Sequence, residues 1–203
     1  MNQEQWTAVD RYIGETVVPS DPALDAAIEA SAKAELPAIA VTPNQGKLLQ
    51  ILARLVNAQK VLEIGTLGGY STIWLARALP ESGRLISLEL NPKHAEVARD
   101  SIERAGLSRK VEIRLGRALD TLPKLPGPFD FVLIDLWKDL YSQCFELLHP
   151  KLSQGALVAA DNMLFPPTVR PYAKAYQQLV RTKGDMDSLL LPLGSGVELS
   201  RKL

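Results

Sequence analysis

The stretch "KVLEIGTLGGYSTIWLARAL", residues 60–79, joins a short β-rich apolar run to a helical pattern through a glycine-containing turn. Such a run, bounded by glycine, reads as a buried strand, and the pattern behind it as a helix returning over that strand. The alternation recurs. "RLISLEL" (84–90) precedes "PKHAEVARDSIERAG" (92–106), and "KVEIRL" (110–115) precedes "ALDTLPKL" (118–125). "FDFVLID" (129–135) leads into "DLYSQCFELLHPKL" (139–152), and "GALVAAD" (155–161) into "TVRPYAKAYQQLVRTKG" (168–184). Five strand-helix units in succession predict a doubly wound α/β sheet, mostly parallel, with helices on both faces. The ending "DSLLLPLGSGVELSRKL" (187–203) has two β-like runs around Gly194-Ser195-Gly196 and no room for a helix, so it predicts a closing antiparallel hairpin on the sheet edge.

Upstream, helices are expected over about 2–17 and 21–34, separated by "PSDP", in which Ser20-Asp21-Pro22 is a helix-start signal. A third is expected from Asn44 to about Asn57, after Pro43. At 203 residues the expectation is one domain, 1–203, with N-terminal helical segments over 1–58 and the α/β core over 60–203.

Charge narrows the function classes. The chain has 23 basic and 23 acidic residues without a block of like charge, so it lacks the footprint of a nucleic-acid or anionic-membrane binder. The start "MNQEQWTAVDRYIGE" carries acids and no uninterrupted apolar region, and nowhere do eighteen apolar residues run together. The expected location is therefore cytoplasmic. Cys144 is the sole cysteine, which excludes an intrachain disulfide and a cysteine-built metal site. On the apolar face of its helix it should be a buried, inert thiol.

In an open parallel sheet, ligands bind at the carboxyl ends of the strands. The first strand ends in "EIGTLGGYS", with Glu63, Gly65, Gly68 and Gly69 before a helix, and the glycines would let the backbone approach a ligand. Leu67 stands where a dinucleotide fingerprint needs its second glycine, which disfavours a nicotinamide-dependent oxidoreductase. The second strand ends on Glu89, where a carboxylate can accept both hydroxyls of a ribose. Together, Glu63 and Glu89 favour a nucleoside site over two structural carboxylates.

An acid-x-Gly-x-x-x-Gly turn with a ribose-binding acid resembles the S-adenosylmethionine methyltransferases. "IDLWKDLY" (134–141) is similar to a segment of catechol O-methyltransferase, and "VAADNML" (158–164) carries the Ala-Asp-Asn of that family, which includes caffeoyl-CoA relatives. The resemblance extends from about Val41 to Leu203. It implies a Rossmann-like methyltransferase fold and a cofactor, S-adenosyl-L-methionine, touched by Val41, Glu63, Gly65, Gly69, Ser71, Glu89, Ala118, Asp135 and Trp137. It also implies Mg²⁺, or another divalent cation such as Mn²⁺ or Ca²⁺, held by Asp135, Asp161 and Asn162. Lys138 would be the general base. The implied substrate is a small catechol, and the reading leaves room for a homodimer.

The chemistry accounts for these residue types. A phenol with a pKa near 10 is a poor nucleophile at neutral pH, and a divalent cation stabilises its phenolate. Two carboxylates and an amide oxygen are hard ligands that leave about three octahedral positions, two for vicinal substrate oxygens and one for water. Lys138, three residues beyond Asp135, can reach the hydroxyl as general base. Taken singly, Asp135 could cap the next helix, Asp161-Asn162 could form a turn, Trp137 could be core and Lys138 a solvated amine. The coincidence of all four at two strand ends is what those readings leave unexplained.

Other residues carry less. His94 should face solvent, and His149 should sit at a helix end for dipole reasons. Arg117 replaces an acid carried by many bacterial relatives near the adenine, with Asp120 close by, and Lys47 reads as a helix-surface lysine. Leu136 stands where many relatives have a second acid, and about Leu189 where the catechol enzyme has a substrate-touching glutamate. Only "PPTV" (166–169) separates "ADNMLF" from the next helix, so an open pocket and a small substrate are expected. The rival readings are a methyltransferase for a larger phenolic ester of the caffeoyl-thioester type and a cofactor-binding protein that has lost catalysis.

Overall fold

A computed structural model describes residues 3–18 and 21–203, leaving aside the side chains of residues 3, 6 and 10. Three helices open the chain: α1 (Gln3–Thr16), α2 (Pro22–Lys33) and α3 (Pro43–Leu55). Ser20 of the expected start signal lies outside the described residues, but Asp21 caps α2 by accepting from the Ala23 and Leu24 amides. Its carboxylate also pairs with Arg77, far along the chain. Thr42 and Gln45 form a reciprocal capping box ahead of α3, with Pro43 in the first turn.

Then follow β1 (Lys60–Ile64), α4 (Tyr70–Ala76), β2 (Arg84–Glu89), α5 (Pro92–Arg104), β3 (Val111–Leu115), α6 (Ala118–Thr121), β4 (Phe129–Ile134), α7 (Tyr141–Leu148), β5 (Leu152–Ala160), α8 (Arg170–Thr182), β6 (Met186–Leu191) and β7 (Val197–Lys202). The sheet order is β3-β2-β1-β4-β5-β7-β6. β1 to β5 pair in parallel, and β7 pairs antiparallel with both β5 and β6. The mostly parallel sheet and its antiparallel hairpin are as expected, with one refinement. The last strand lies inside and β6 forms the edge. Glu198, on β7, is fully buried, and its carboxylate accepts from Arg181 at 2.7 Å and Gln177 at 2.9 Å of α8, which compensates a charge placed in the interior.

The expected helix over 118–125 is instead a short α6 followed by a tighter 3₁₀ turn at Leu122–Lys124. Pro123 lacks the amide that would continue the helix.

Alternation along the strands divides the interior into two cores. Val61, Leu85, Phe131, Leu133 and Ala159 pack against α2 to α5, while Leu62, Ile64, Leu88, Val132 and Val158 pack against α7 and α8. Each fully buried Leu or Ile contributes roughly 1.5–3 kcal/mol. Cys144 belongs to the second core, and burial pushes its thiol up to about 12, consistent with an inert group. No helix among the described residues is long and apolar enough to cross a membrane.

Candidate active site

Period two carries the acids as well as the apolar residues. Glu63, on β1, shares the side of Val61, so it points toward α4, and Asp135 and Asp161 continue the same phase beyond β4 and β5. Register brings the last two together. Ile134 pairs with Ala160, and the next residues remain held, because the Asp135 amide donates to Ile64 and the Asp161 amide to Ile134. Asp135 and Asp161 thus occupy neighbouring strand ends on one face of the sheet.

Their environment penalises negative charge. Burial, and then the adjacent Asp135, push Asp161 up to about 7, and burial raises Asp135 against the opposing pull of Lys138. Asn162 follows with φ 55°, a left-handed conformation that Asn tolerates better than most residues and that turns the chain sharply at the strand end. Lys138 Nζ lies 3.2 Å from Asp135 Oδ1 and donates to Tyr141 Oη at 2.6 Å, and Tyr141 Oη donates to the Asp161 carbonyl at 3.2 Å. The fully buried Tyr141 phenol is raised well above its ordinary value, chiefly by desolvation. Trp137 is 76% exposed at the turn after β4, so the core reading of this residue does not hold.

The turn after β1 is arranged around two carboxylates. Glu63 lies beneath the turn with no exposed surface, and its oxygens accept from Ser71 at 2.6 Å, Thr72 at 2.5 Å and Ser87 at 2.6 Å. Burial pushes it up to about 7 despite those bonds. The Ser71 hydroxyl proton and the Glu63 carboxylate are thus engaged with each other beneath the turn. Glu89, at the end of β2, accepts from the amides of Thr66 and Leu67 through one oxygen and of Leu90 and Asn91 through the other. His94 Nδ1 lies 3.6 Å from Glu89, so this histidine faces the candidate ribose acid more than it faces solvent.

The glycines have packing reasons beyond ligand approach. A Cβ on Gly65, at φ +102°, would stand 1.9 Å from the Asp135 carbonyl oxygen, so only glycine lets β1 and β4 close at their ends. On Gly68 it would meet Ser31 Oγ of α2 at 1.9 Å, and on Gly69 the Ala98 backbone of α5 at 3.3 Å.

Val41 is buried on the segment leading into α3. It lines a cleft of about 760 Å³ together with Arg11 of α1, Ile39, Asp161, Asn162 and Phe165. Gln45 reaches the same cleft and donates from Nε2 to Asp161 Oδ1 at 2.5 Å. The sequence alone marks neither Gln45 nor Tyr141 as a site residue. The Thr42-x-x-Gln45 capping box and the three-residue spacing of Lys138 and Tyr141 were the legible signals.

The Gly116 amide donates to the Glu89 carbonyl at 2.8 Å, which brings the turn before Ala118 to the candidate ribose acid. Ala118 begins α6, and the exposed Arg117 lies 3.7 Å from Asp120. Leu189 is exposed on the edge strand β6. His149 caps the C-terminal end of α7, as expected, and also bonds Asp185 at 2.7 Å, just before β6. Lys47 is half-buried, donating to Gln50 at 3.2 Å.

The family model described as O-methyltransferase matches residues 15–203. The chain belongs to the O-methyltransferase family. It is 50% identical over 168 residues to a catechol O-methyltransferase of Niastella koreensis, covering 81% of this chain and 76% of that protein. It is also 32% identical to a caffeoyl-CoA O-methyltransferase of Petroselinum crispum, over 98% and 92% of the two chains. Among solved structures, an O-methyltransferase from Bacillus cereus in complex with SAH superposes with a TM-score of 0.91 at 37% identity, over 100% of both chains. In this O-methyltransferase, as in that structure, the sheet carries the Rossmann-like methyltransferase architecture.

Proposed function

We propose that this O-methyltransferase transfers the methyl group of S-adenosylmethionine to one hydroxyl of a small vicinal diphenol held on a divalent cation. The observation that carries the reading is the pair Asp135 and Asp161: two carboxylates set side by side by strand register, with Asn162 adjacent and Lys138 in contact with Asp135. Their burial and mutual repulsion make a site that a cation relieves, and two carboxylates with an amide oxygen suit Mg²⁺ or a similar hard ion. Asp135, Asp161 and Asn162 would hold it. Bound there, a divalent cation favours the phenolate form of a catechol hydroxyl at neutral pH.

The chain's own groups supply the rest. Lys138 has three positions for hydrogen bonds on Nζ; Asp135 and Tyr141 take two, which leaves one for the substrate hydroxyl whose proton it accepts. As the oxygen–methyl bond forms and the sulfur–methyl bond breaks, the proton stays on Lys138. Glu89 would bind the ribose hydroxyls of the cofactor, and the turn from Gly65 to Gly69, braced from below by Glu63 and Ser71, would shape the wall against its methionine portion with Val41. Ala118 and Trp137 would border the adenine. Positioning of the nucleophile against the sulfonium methyl is the main source of rate.

A second reading, a larger phenolic ester of the caffeoyl-thioester type, is favoured by the 32% identity to a caffeoyl-CoA O-methyltransferase over nearly the whole chain. Incubating the protein with methyl-labelled S-adenosylmethionine, Mg²⁺ and a panel containing catechol, a caffeoyl thioester and simple phenols tests both. Label on catechol supports the first reading, and label on the thioester alone the second. No transfer to any phenol contradicts both. We read residues 1–203 as one methyltransferase domain acting in the cytoplasm on free small molecules.

A further inference from the structure

Gln45 is an unusual place for a polar side chain: 3% exposed, in the first turn of α3, and engaged at both ends of its amide. Its Oε1 accepts from the Thr42 amide at 3.4 Å, and its Nε2 donates to Asp161 Oδ1 at 2.5 Å. The amide orientation is fixed by this pair of partners. Turned over, it would set an oxygen against a carboxylate and an N–H against an N–H. The turn between β6 and β7 closes on the same group, since a Cβ on Gly194 would lie 2.4 Å from Gln45 Oε1. Gln45 is therefore pinned from the α3 cap and from the β6–β7 turn before it meets Asp161.

We propose that Gln45 is the positioning residue for the divalent cation: by occupying Asp161 Oδ1, it fixes the carboxylate plane and presents Oδ2 as the ligand atom. This rests on the metal reading of Asp135, Asp161 and Asn162 given above. Asp135 is held by Lys138, and without a partner of its own the buried Asp161 carboxylate would be free to turn away from it. A neutral donor on one oxygen holds the plane without adding charge to the site. Partners of this kind, one bond behind a metal ligand, are worth about 10–100-fold in metal affinity. The arrangement also links the cation site to the segment carrying Val41, so the two sides of the cleft share one anchor.

The test is Mn²⁺ binding to the full-length protein without substrate, followed by the spin-resonance signal of free Mn²⁺, with S-adenosylmethionine affinity measured in parallel by calorimetry. Gln45→Met keeps the length of the side chain and removes the donor. It is expected to weaken Mn²⁺ binding about tenfold or more while leaving cofactor affinity unchanged, and its catechol turnover is expected to recover at high Mn²⁺. Thr42→Ala removes the other half of the capping box and should leave Mn²⁺ affinity as in the wild type. If Gln45→Met fails to fold, Gln45→Ala replaces it. Unchanged Mn²⁺ affinity in the Gln45 variant overturns the proposal. So does an equal loss in Thr42→Ala, or a parallel loss of cofactor binding, since either assigns the effect to the helix cap or to general damage. Wild-type protein that binds no Mn²⁺ overturns the metal reading itself, a distinct result.

Discussion

Lys138 and Tyr141 are joined Nζ to Oη at 2.6 Å, and the phenol O–H in turn donates a hydrogen bond to the Asp161 carbonyl oxygen at 3.2 Å. The direction of that chain gives the lysine an acceptor on one side and Asp135 on another, so its amine is held at the junction of β4 and β5. Because Tyr141 is fully buried between the two strand ends, it positions Lys138 without needing to touch the substrate.

Removal of the amine in Lys138→Met should lower catechol turnover by about 10²–10⁴ near neutral pH, the usual span for a lost general base. Activity should partly return at alkaline pH, where solvent takes the proton. Tyr141→Phe should cost less, about tenfold, by freeing the amine. A pH–rate profile for the three proteins checks both, and a Lys138→Met profile superimposable on wild type would remove Lys138 from the proton transfer.

Glu89→Ala should weaken S-adenosylmethionine binding by roughly 1.5–3 kcal/mol through loss of charge-assisted bonds. The structure adds a second expectation. The amides of Thr66, Leu67, Leu90 and Asn91 lose their common acceptor, so the melting temperature should fall too. Calorimetry that returns wild-type affinity would take Glu89 out of the cofactor site.

Gly68 offers a double-mutant test of why glycine stands there. Gly68→Ala should destabilise the protein by about 1–3 kcal/mol through overpacking against Ser31 Oγ. In a Ser31→Ala background the cost should largely vanish, because the clashing atom is gone. Denaturant unfolding of the four proteins gives the coupling. Additive losses would mean that Gly68 is required for some reason other than the packing of α2.

Glu63 makes stability depend on pH in an unusual direction for a carboxylate. Its folded value of about 7 exceeds the ordinary 4.5, so the native state binds the proton more tightly than the unfolded chain. The contribution is intact below 4.5 and is lost as pH rises through 7, on the order of 3 kcal/mol across that window. Glu63→Gln cannot titrate and should show a flatter profile. Urea midpoints from pH 4.5 to 8 decide it, and parallel curves for the two proteins would contradict this role.

Much of the fold could be read from period and punctuation. The five strand-helix units were legible because each strand is a short apolar run ending at a turn, and the acids at 63, 89, 135 and 161 fall at or just beyond strand ends. What stayed hidden depended on contacts distant in sequence. Gln45 and Asp161 are 116 residues apart, and nothing local marks Gln45 beyond its cap. Ser71, a cofactor contact by resemblance, also donates to the buried Glu63, a partner that the sequence does not mark. The insertion of β7 inside β6 was equally hidden, since the compensation of Glu198 comes from α8.

The central claim is that Asp135, Asp161 and Asn162 would hold a divalent cation and that the site would thereby favour a vicinal diol over a monophenol. It is tested most directly by initial rates on a catechol and the matching monophenol, at saturating S-adenosylmethionine, with Mg²⁺ and with excess chelator. The account predicts catechol methylation at least about a hundredfold faster than that of the monophenol, abolished by chelator and restored by Mg²⁺. Equal rates for the two substrates, or full catechol turnover in chelator, would contradict it.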